Sequence, residues 1–176
     1  MKRNIVLFVA SLTLASLARA ANPALPVIPS AVFNVTNYGA IGDGVKDNTT
    51  NLQAAINAAN AAGGGVVEIP AGTFESGPIT LLSRINLHLD PHAVLQMLPM
   101  GIYPGGTTNA KTFIVCHDVH DLEISGEGTI DGQGVAWWAA YNNKSTPDPV
   151  SPILLNLYSC NRLFIRDVTY VERHVH

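Results

Sequence analysis

Apolar and polar residues alternate with a period of two through most of this chain, the pattern of strands with one buried face. The clearest instances are Val67-Glu68-Ile69, Ile85-Asn86-Leu87, Leu122-Glu123-Ile124 and Leu163-Phe164-Ile165. A short alternating strand also opens the ordered part, at Val32-Phe33-Asn34-Val35. One segment breaks the pattern. Over 47–62, Leu52, Ile56 and Ala59 fall on one helical face, with Asn48, Thr49 or Thr50 placed to cap the start. The run Gly39-Ala40-Ile41-Gly42-Asp43-Gly44 before it reads as a tight turn, and Gly63-Gly64-Gly65 ends it. Everything after that helix has strand character.

The strands repeat. Successive copies lie 18, 37 and 41 residues apart, which reads as one, two and two multiples of about 20, a length within the range of solenoid repeats. Each later copy has a companion strand upstream, at 78–81, 112–115 and 152–155. A unit of this kind cannot bury its apolar side chains alone and must stack on its neighbours. The pattern therefore predicts an all-β fold, a right-handed parallel β-helix, with the one N-terminal α-helix capping the strand edges of the first coil.

The N-terminus asks for separate treatment. Lys2 and Arg3 precede a thirteen-residue, largely apolar run over 5–17, and Ala18-Arg19-Ala20 supplies a small-x-small cleavage pattern. That run is too short for a membrane span, which needs about 20 residues. Residues 1–20 read as a signal peptide, 21–31 as a Pro-rich leader (Pro23, Pro26, Pro29), 32–169 as the cap and first coils, and 170–176 as an atypical tail. Cleavage removes three of the ten basic residues and none of the thirteen acids, taking the formal charge from −3 to −6. A secreted or periplasmic protein follows, without a membrane partner once the signal is cut. So acidic a chain does not bind nucleic acid through backbone electrostatics. Cys116 and Cys160 are compatible with a disulfide or with two core thiols. The N-x-[ST] triplets at Asn34, Asn48 and Asn143 matter only in a host that glycosylates.

Particular residues also carry a resemblance. Phe33-Asn34-Val35 and Tyr38-Gly39-Ala40 lead into Gly42-Asp43-Gly44-Val45-Lys46-Asp47-Asn48-Thr49. After the glycine stop come Val67-Glu68-Ile69-Pro70-Ala71-Gly72-Thr73-Phe74, Gly77-Pro78-Ile79-Thr80-Leu81 and Leu87-His88-Leu89. Gly128-Thr129-Ile130-Asp131-Gly132-Gln133-Gly134, with Trp137-Trp138, completes the set. Over about 32–169 the chain resembles the N-terminal portion of polygalacturonase-like enzymes of glycoside hydrolase family 28, in the pectate-lyase-like superfamily. The resemblance implies the pectin-lyase-like solenoid. It implies a pectic polysaccharide substrate and hydrolysis of α-1,4-galacturonosyl bonds with inversion, using two sets of carboxylates and no cofactor or metal. It also implies a monomer at full length.

The family's catalytic motifs do not occur in the sequence. It contains no Asn-Thr-Asp, no Asp-Asp pair, no Gly-His-Gly and no Arg-Ile-Lys. In the family these lie C-terminal to every segment matched here. The expectation is a β-helix truncated on its C-terminal side, inactive alone, with no catalytic residue to assign. Two alternatives stand beside it: a calcium-dependent pectate lyase, and a non-catalytic β-helical carbohydrate-binding or adhesin module.

A few residues remain as substrate-binding candidates. Trp137 and Trp138 offer aromatic faces suited to a pyranose, although core packing serves at least one of them equally well. Asp131 stands in a Gly-rich turn, where an Asx-turn is the simpler role, and Glu127 lies four residues before it. Asp43 and Asp47 are better explained by turn formation and by the positive end of the following helix. His117-Asp118-Val119-His120-Asp121 has ligand-type side chains, but in extended chain positions i and i+3 point to opposite faces, so no metal site is assigned.

Overall fold

The computed structural model describes residues 23–143 and 150–171, and residues 1–20, read above as a signal peptide, lie outside them. Thirteen strands form three parallel sheets. Sheet A contains β1 (Val32–Asn34), β3 (Gly65–Ile69), β6 (Ile85–Leu89), β9 (His120–Gly126) and β12 (Asn161–Ile165). Sheet B contains β2 (Asp43–Asp47), β4 (Gly72–Ser76), β7 (Ala93–Met97), β10 (Thr129–Asp131) and β13 (Thr169–Val171). Sheet C contains β5 (Ile79–Leu81), β8 (Ile114–His117) and β11 (Leu155–Tyr158). The chain visits A, B and C in turn, and each visit adds one strand to each sheet. That is a parallel β-helix, right-handed as parallel crossovers are.

The inward residues stack coil on coil. Val67, Leu87, Ile124 and Ile165 are successive partners in sheet A. Phe74, Leu95, Ile130 and Tyr170 do the same in sheet B. The pairing corrects the repeat in two ways. Val67 faces Leu87 rather than Ile85, so the first coil spans 20 residues. A slip of two keeps every side chain on its own face, so alternation alone could not detect it. The intervals of 37 and 41 are also single coils, because β6 pairs directly with β9 and β9 with β12. Among the described residues their extra length lies between sheets B and C, over 98–113 and over 132–143 and 150–154, and the strand ladder passes on unbroken.

The predicted helix is α1 (Thr49–Ala61), with Leu52, Ala55, Ile56 and Ala59 fully buried against the first coil. Its cap differs in detail from the expectation. Asn48 makes no capping bond; its side chain accepts from Ile41 N and donates to the Ile41 and Lys46 carbonyls. Asp47 takes the capping role, its Oδ1 accepting from Thr49 N at 2.9 Å and Thr49 Oγ1 at 2.5 Å. Asn48 has no exposed surface, so its glycosylation triplet is not an accessible acceptor in the folded chain. A second helix, α2 (Gly134–Asn142), occupies the loop after β10, where continued strand character was expected. Among the described residues no helix is long and apolar enough to cross a membrane.

The turn into sheet A uses a left-handed residue at β3, β6, β9 and β12. Gly64 (φ 116°), Arg84 (63°), Asp121 (56°) and Arg162 (54°) each precede or open a sheet A strand at equivalent positions. At Gly64 a Cβ would lie 2.5 Å from the Arg84 carbonyl oxygen, so only glycine fits there. Asp121, almost fully buried, organises this edge. It accepts from Arg162 Nε and Nη2 at 2.5 and 2.6 Å and from Val27 N at 2.9 Å. Its second oxygen lies 2.8 Å from His120 Nδ1. The Pro-rich leader is thereby clipped to the corner before Val66 N bonds the Ala31 carbonyl.

The start of the atypical tail needs adjustment. Tyr170 and Val171 belong to β13, in register with Ile130 and Asp131, and 172–176 lie outside the described residues. Cys116 is buried, Cys160 half-buried, and both thiols are free. Burial pushes the Cys116 thiol up to about 12, with the nearby Cys160 adding to the shift.

Arg162, together with the backbone and His120 bonds, holds the Asp121 carboxyl well below the usual carboxylate range. A depressed acid stabilises the fold above its unfolded value of about 3.9, and that contribution is lost as pH falls towards the folded value. Asp121→Asn should therefore lower Tm by several degrees at pH 7, and its gap from wild type should narrow below about pH 4. A gap unchanged from pH 7 to pH 3 would mean that the charge on Asp121 contributes nothing.

Candidate functional site

Strand β10 ends on Asp131, whose position follows from the ladder. Its side chain leaves the outer face of sheet B beside Gln96 of β7, its direct partner. Asp131 Oδ2 accepts from Gln96 Nε2 at 3.2 Å, and Oδ1 accepts from Gln133 N at 2.9 Å. The second bond is the Asx-turn that the sequence suggested. Gln133 takes a left-handed conformation (φ 49°) as the chain enters α2, and its Nε2 donates to the Met97 carbonyl at 2.5 Å. Two strand ends and a helix are thus stitched together around one carboxylate.

Between them lies an open cavity of about 490 Å³, lined by Gln96, Asp131, Gln133, Gly134, Val135, Ala136 and Ala139. That volume falls within the range of roughly 300–1,000 Å³ usual for small-molecule sites. One wall is polar, from the two amides and the carboxylate. The other is the small-residue face of α2.

The two tryptophans have different surroundings. Trp137 is 2% exposed and meets Tyr103 edge-on, ring centroids 6.1 Å apart, under the loop at 98–113. Its Nε1 and the Tyr103 hydroxyl are buried without a hydrogen-bond partner, and burial raises the Tyr103 hydroxyl well above its ordinary value. Trp138 is half-buried and stacks on the exposed Tyr141, with centroids 5.7 Å apart and planes 18° from parallel. Trp138 follows Val135 by three positions, whereas Tyr141 lies on the side of α2 away from Ala139, and neither ring lines the cavity.

The remaining candidates are dispersed. Glu127 is exposed in the bend before β10, while Asp131 ends that strand with its two oxygens bonded to Gln133 N and Gln96 Nε2, and the two carboxylates share no partner. Asp43 Oδ1 accepts from Val45 N and Lys46 N, bonds that lower its pKa. His117 pairs with Asp118 at 2.7 Å and His120 with Asp121 at 2.8 Å, as separate contacts around one corner. Among the described residues no three His, Cys, Asp or Glu side chains converge as metal ligands.

Sequence reading missed Gln96 and Gln133. Gln133 lay within a quoted motif, but Gln96 sits 35 residues before Asp131 and joins it only through register. The same outward column runs from Asp47 through Glu75 and Gln96 to Asp131. Glu75 is 8% exposed, and burial, with Asp43 and Asp47 nearby, raises its pKa.

A family described as rhamnogalacturonase A/epimerase, pectate lyase-like, matches residues 32–109. A protein named probable polygalacturonase from Arabidopsis thaliana is 30% identical over 155 residues, covering 84% of this chain and 32% of that protein. Mannuronan C5-epimerase AlgE4 of Azotobacter vinelandii is 39% identical over 94 residues, covering 53% of this chain and 15% of that protein. The chain therefore spans less than a third of each. The crystal structure of a hyperthermoactive exopolygalacturonase from Thermotoga maritima superposes with a TM-score of 0.69 at 22% identity, covering 85% of this chain and 44% of that one. That likeness is one of fold.

With no partner for its Nε1, Trp137 contributes through packing rather than hydrogen bonding. Trp137→Phe should stay within about 1 kcal/mol of wild type in urea unfolding, whereas Trp137→Ala should cost about 3–5 kcal/mol. A loss for Trp137→Phe well above 1 kcal/mol would show that the indole N–H is hydrogen-bonded in the folded chain.

Proposed function

We propose that this chain, a polygalacturonase-like protein of the pectate-lyase-like superfamily, forms the capped first coils of a secreted or periplasmic hydrolase of α-1,4-galacturonosyl bonds in pectin. The reading rests chiefly on similarity to a polygalacturonase sequence across 155 residues. The Gly-Thr-Ile-Asp-Gly-Gln-Gly stretch adds support, since it builds β10, the Asx-turn and the entry to α2.

Inverting hydrolysis needs an acid on the leaving oxygen and a base behind an attacking water, with carboxyl groups about 6.5–9.5 Å apart. The family's Asn-Thr-Asp and Asp-Asp motifs do not occur in this sequence. Glu127 lies in the bend before β10, and Asp131, at the end of that strand, is committed on both oxygens. In this reading the acid and base are those of the family's Asn-Thr-Asp and Asp-Asp motifs, and the residues here serve the reaction by capping the solenoid. The working protein is a monomer that binds its polymer along the coils.

The test uses the native secreted protein, captured from its host with an antibody raised against 32–143. Incubated with polygalacturonate in a chelator, it should release saturated reducing ends. Unsaturated products that require calcium would replace this reading with a pectate lyase. Retention on polygalacturonate without product would replace it with a carbohydrate-binding or adhesin module.

A further inference from the structure

We propose that the cavity between β7, β10 and α2 is a subsite for a neutral glycosyl unit and excludes uronate. The proposal draws only its polysaccharide context from the function proposed above; the selectivity comes from the cavity itself.

The first argument concerns which hydrogen-bonding valences remain free. Asp131 already accepts one N–H on each oxygen, so its remaining lone pairs can only accept. Gln133 Nε2 spends one N–H on the Met97 carbonyl and Gln96 Nε2 spends one on Asp131, so each amide keeps its carbonyl oxygen and one N–H. The polar wall therefore offers acceptors on Asp131 and both amides, with two amide N–H donors beside them. The hydroxyl groups of a sugar are donors, and planar amides beside a carboxylate can bind two of them side by side. The opposite wall, Val135, Ala136 and Ala139, is apolar and low, suited to the C–H face of a pyranose ring.

The second argument is charge. No Lys or Arg lines the cavity, so a uronate carboxylate would meet Asp131 with nothing to offset it. The column beyond Gln96 continues into Glu75 and Asp47, adding negative potential on the same face of sheet B. Helix α2 could attract an anion at its positive N-terminal end, but Asp131 already faces that end and bonds Gln133 N. The place an anion would take is filled by the protein's own carboxylate. A neutral sugar escapes the repulsion and satisfies the acceptors. Pectic polymers carry neutral sugars as well as uronates, so such a subsite would read composition or branching at a distance from any bond being cleaved.

The experiment compares neutral galactotetraose with tetragalacturonate by backbone and side-chain amide NMR on the secreted chain. Galactotetraose should shift the Gln96, Gln133 and Ala139 signals, and tetragalacturonate should leave them in place at the same concentration. Gln96→Ala should weaken galactotetraose binding about tenfold, the effect of losing one well-placed hydrogen bond. Asp131→Asn should admit tetragalacturonate and narrow the preference. Should that variant lose the Asx-turn and misfold, Ala139→Trp fills the cavity from an exposed helical position, and it should abolish the galactotetraose shifts. The proposal is overturned if tetragalacturonate shifts these residues as strongly as galactotetraose, or if neither sugar shifts them. Failure to cleave polygalacturonate would count against the hydrolase reading and leave these shifts untouched.

Discussion

Each coil of this protein presents one row of apolar side chains to the interior, and that row is buried only by the coils above and below. Leu87 is fully covered because Val67 and Ile124 flank it in register, and Leu95 because Phe74 and Ile130 do. Parallel pairing in register is thus the condition for having a core at all, since a slip of one residue would turn each row outward. Leu122, Ile124 and Ile130 are likewise fully buried in the third coil. At the N-terminal end, helix α1 closes the first coil with its Leu52, Ala55, Ile56 and Ala59 face.

The corners carry the second constraint. A coil must turn sharply between sheets, and at the turn into β3, β6, β9 and β12 it does so through a left-handed residue. Glycine does this without strain in the first coil, while Arg84, Asp121 and Arg162 do it later at a conformational cost of order 1–3 kcal/mol each. Charge offsets part of that cost, because the fork of Arg162 clasps Asp121 and the same carboxylate holds the leader at Val27. Insertions concentrate at a different corner, between sheets B and C. The candidate cavity forms there because α2 folds back against the ends of two strands it does not pair with.

The alternation of Val67-Glu68-Ile69 and its later copies, together with the helical face of Leu52, Ile56 and Ala59, was enough to read the solenoid and its cap from sequence. Coil number was not legible. A period of two fixes which face a residue takes, but it says nothing about how much chain loops out between strands, so 37 and 41 passed for double coils. Helix α2 was hidden for a related reason: Val135, Ala136, Trp137, Trp138 and Ala139 are apolar on every side, and only packing of Trp137 beneath the 98–113 loop marks the inner face. The site was half legible. Asp131 and its turn stood out as a motif, whereas Gln96 is joined to it by register alone.

The account depends most on the claim that the 37 residues between Ile85 and Leu122 form one coil, since this places Gln96 beside Asp131. Val94 and Thr129 are direct partners on the outer face of sheet B, in strands that neighbour each other at about 4.8 Å. The direct measurement is cross-linking of Val94→Cys/Thr129→Cys in a Cys160→Ser background with the shortest bifunctional thiol reagent. The buried Cys116, its thiol raised to about 12, stays unreactive. One coil predicts a rapid intramolecular cross-link in the folded chain that is lost on unfolding in urea. Two free thiols after prolonged treatment of the folded protein would place another coil between β7 and β10 and contradict both the register and the cavity built on it.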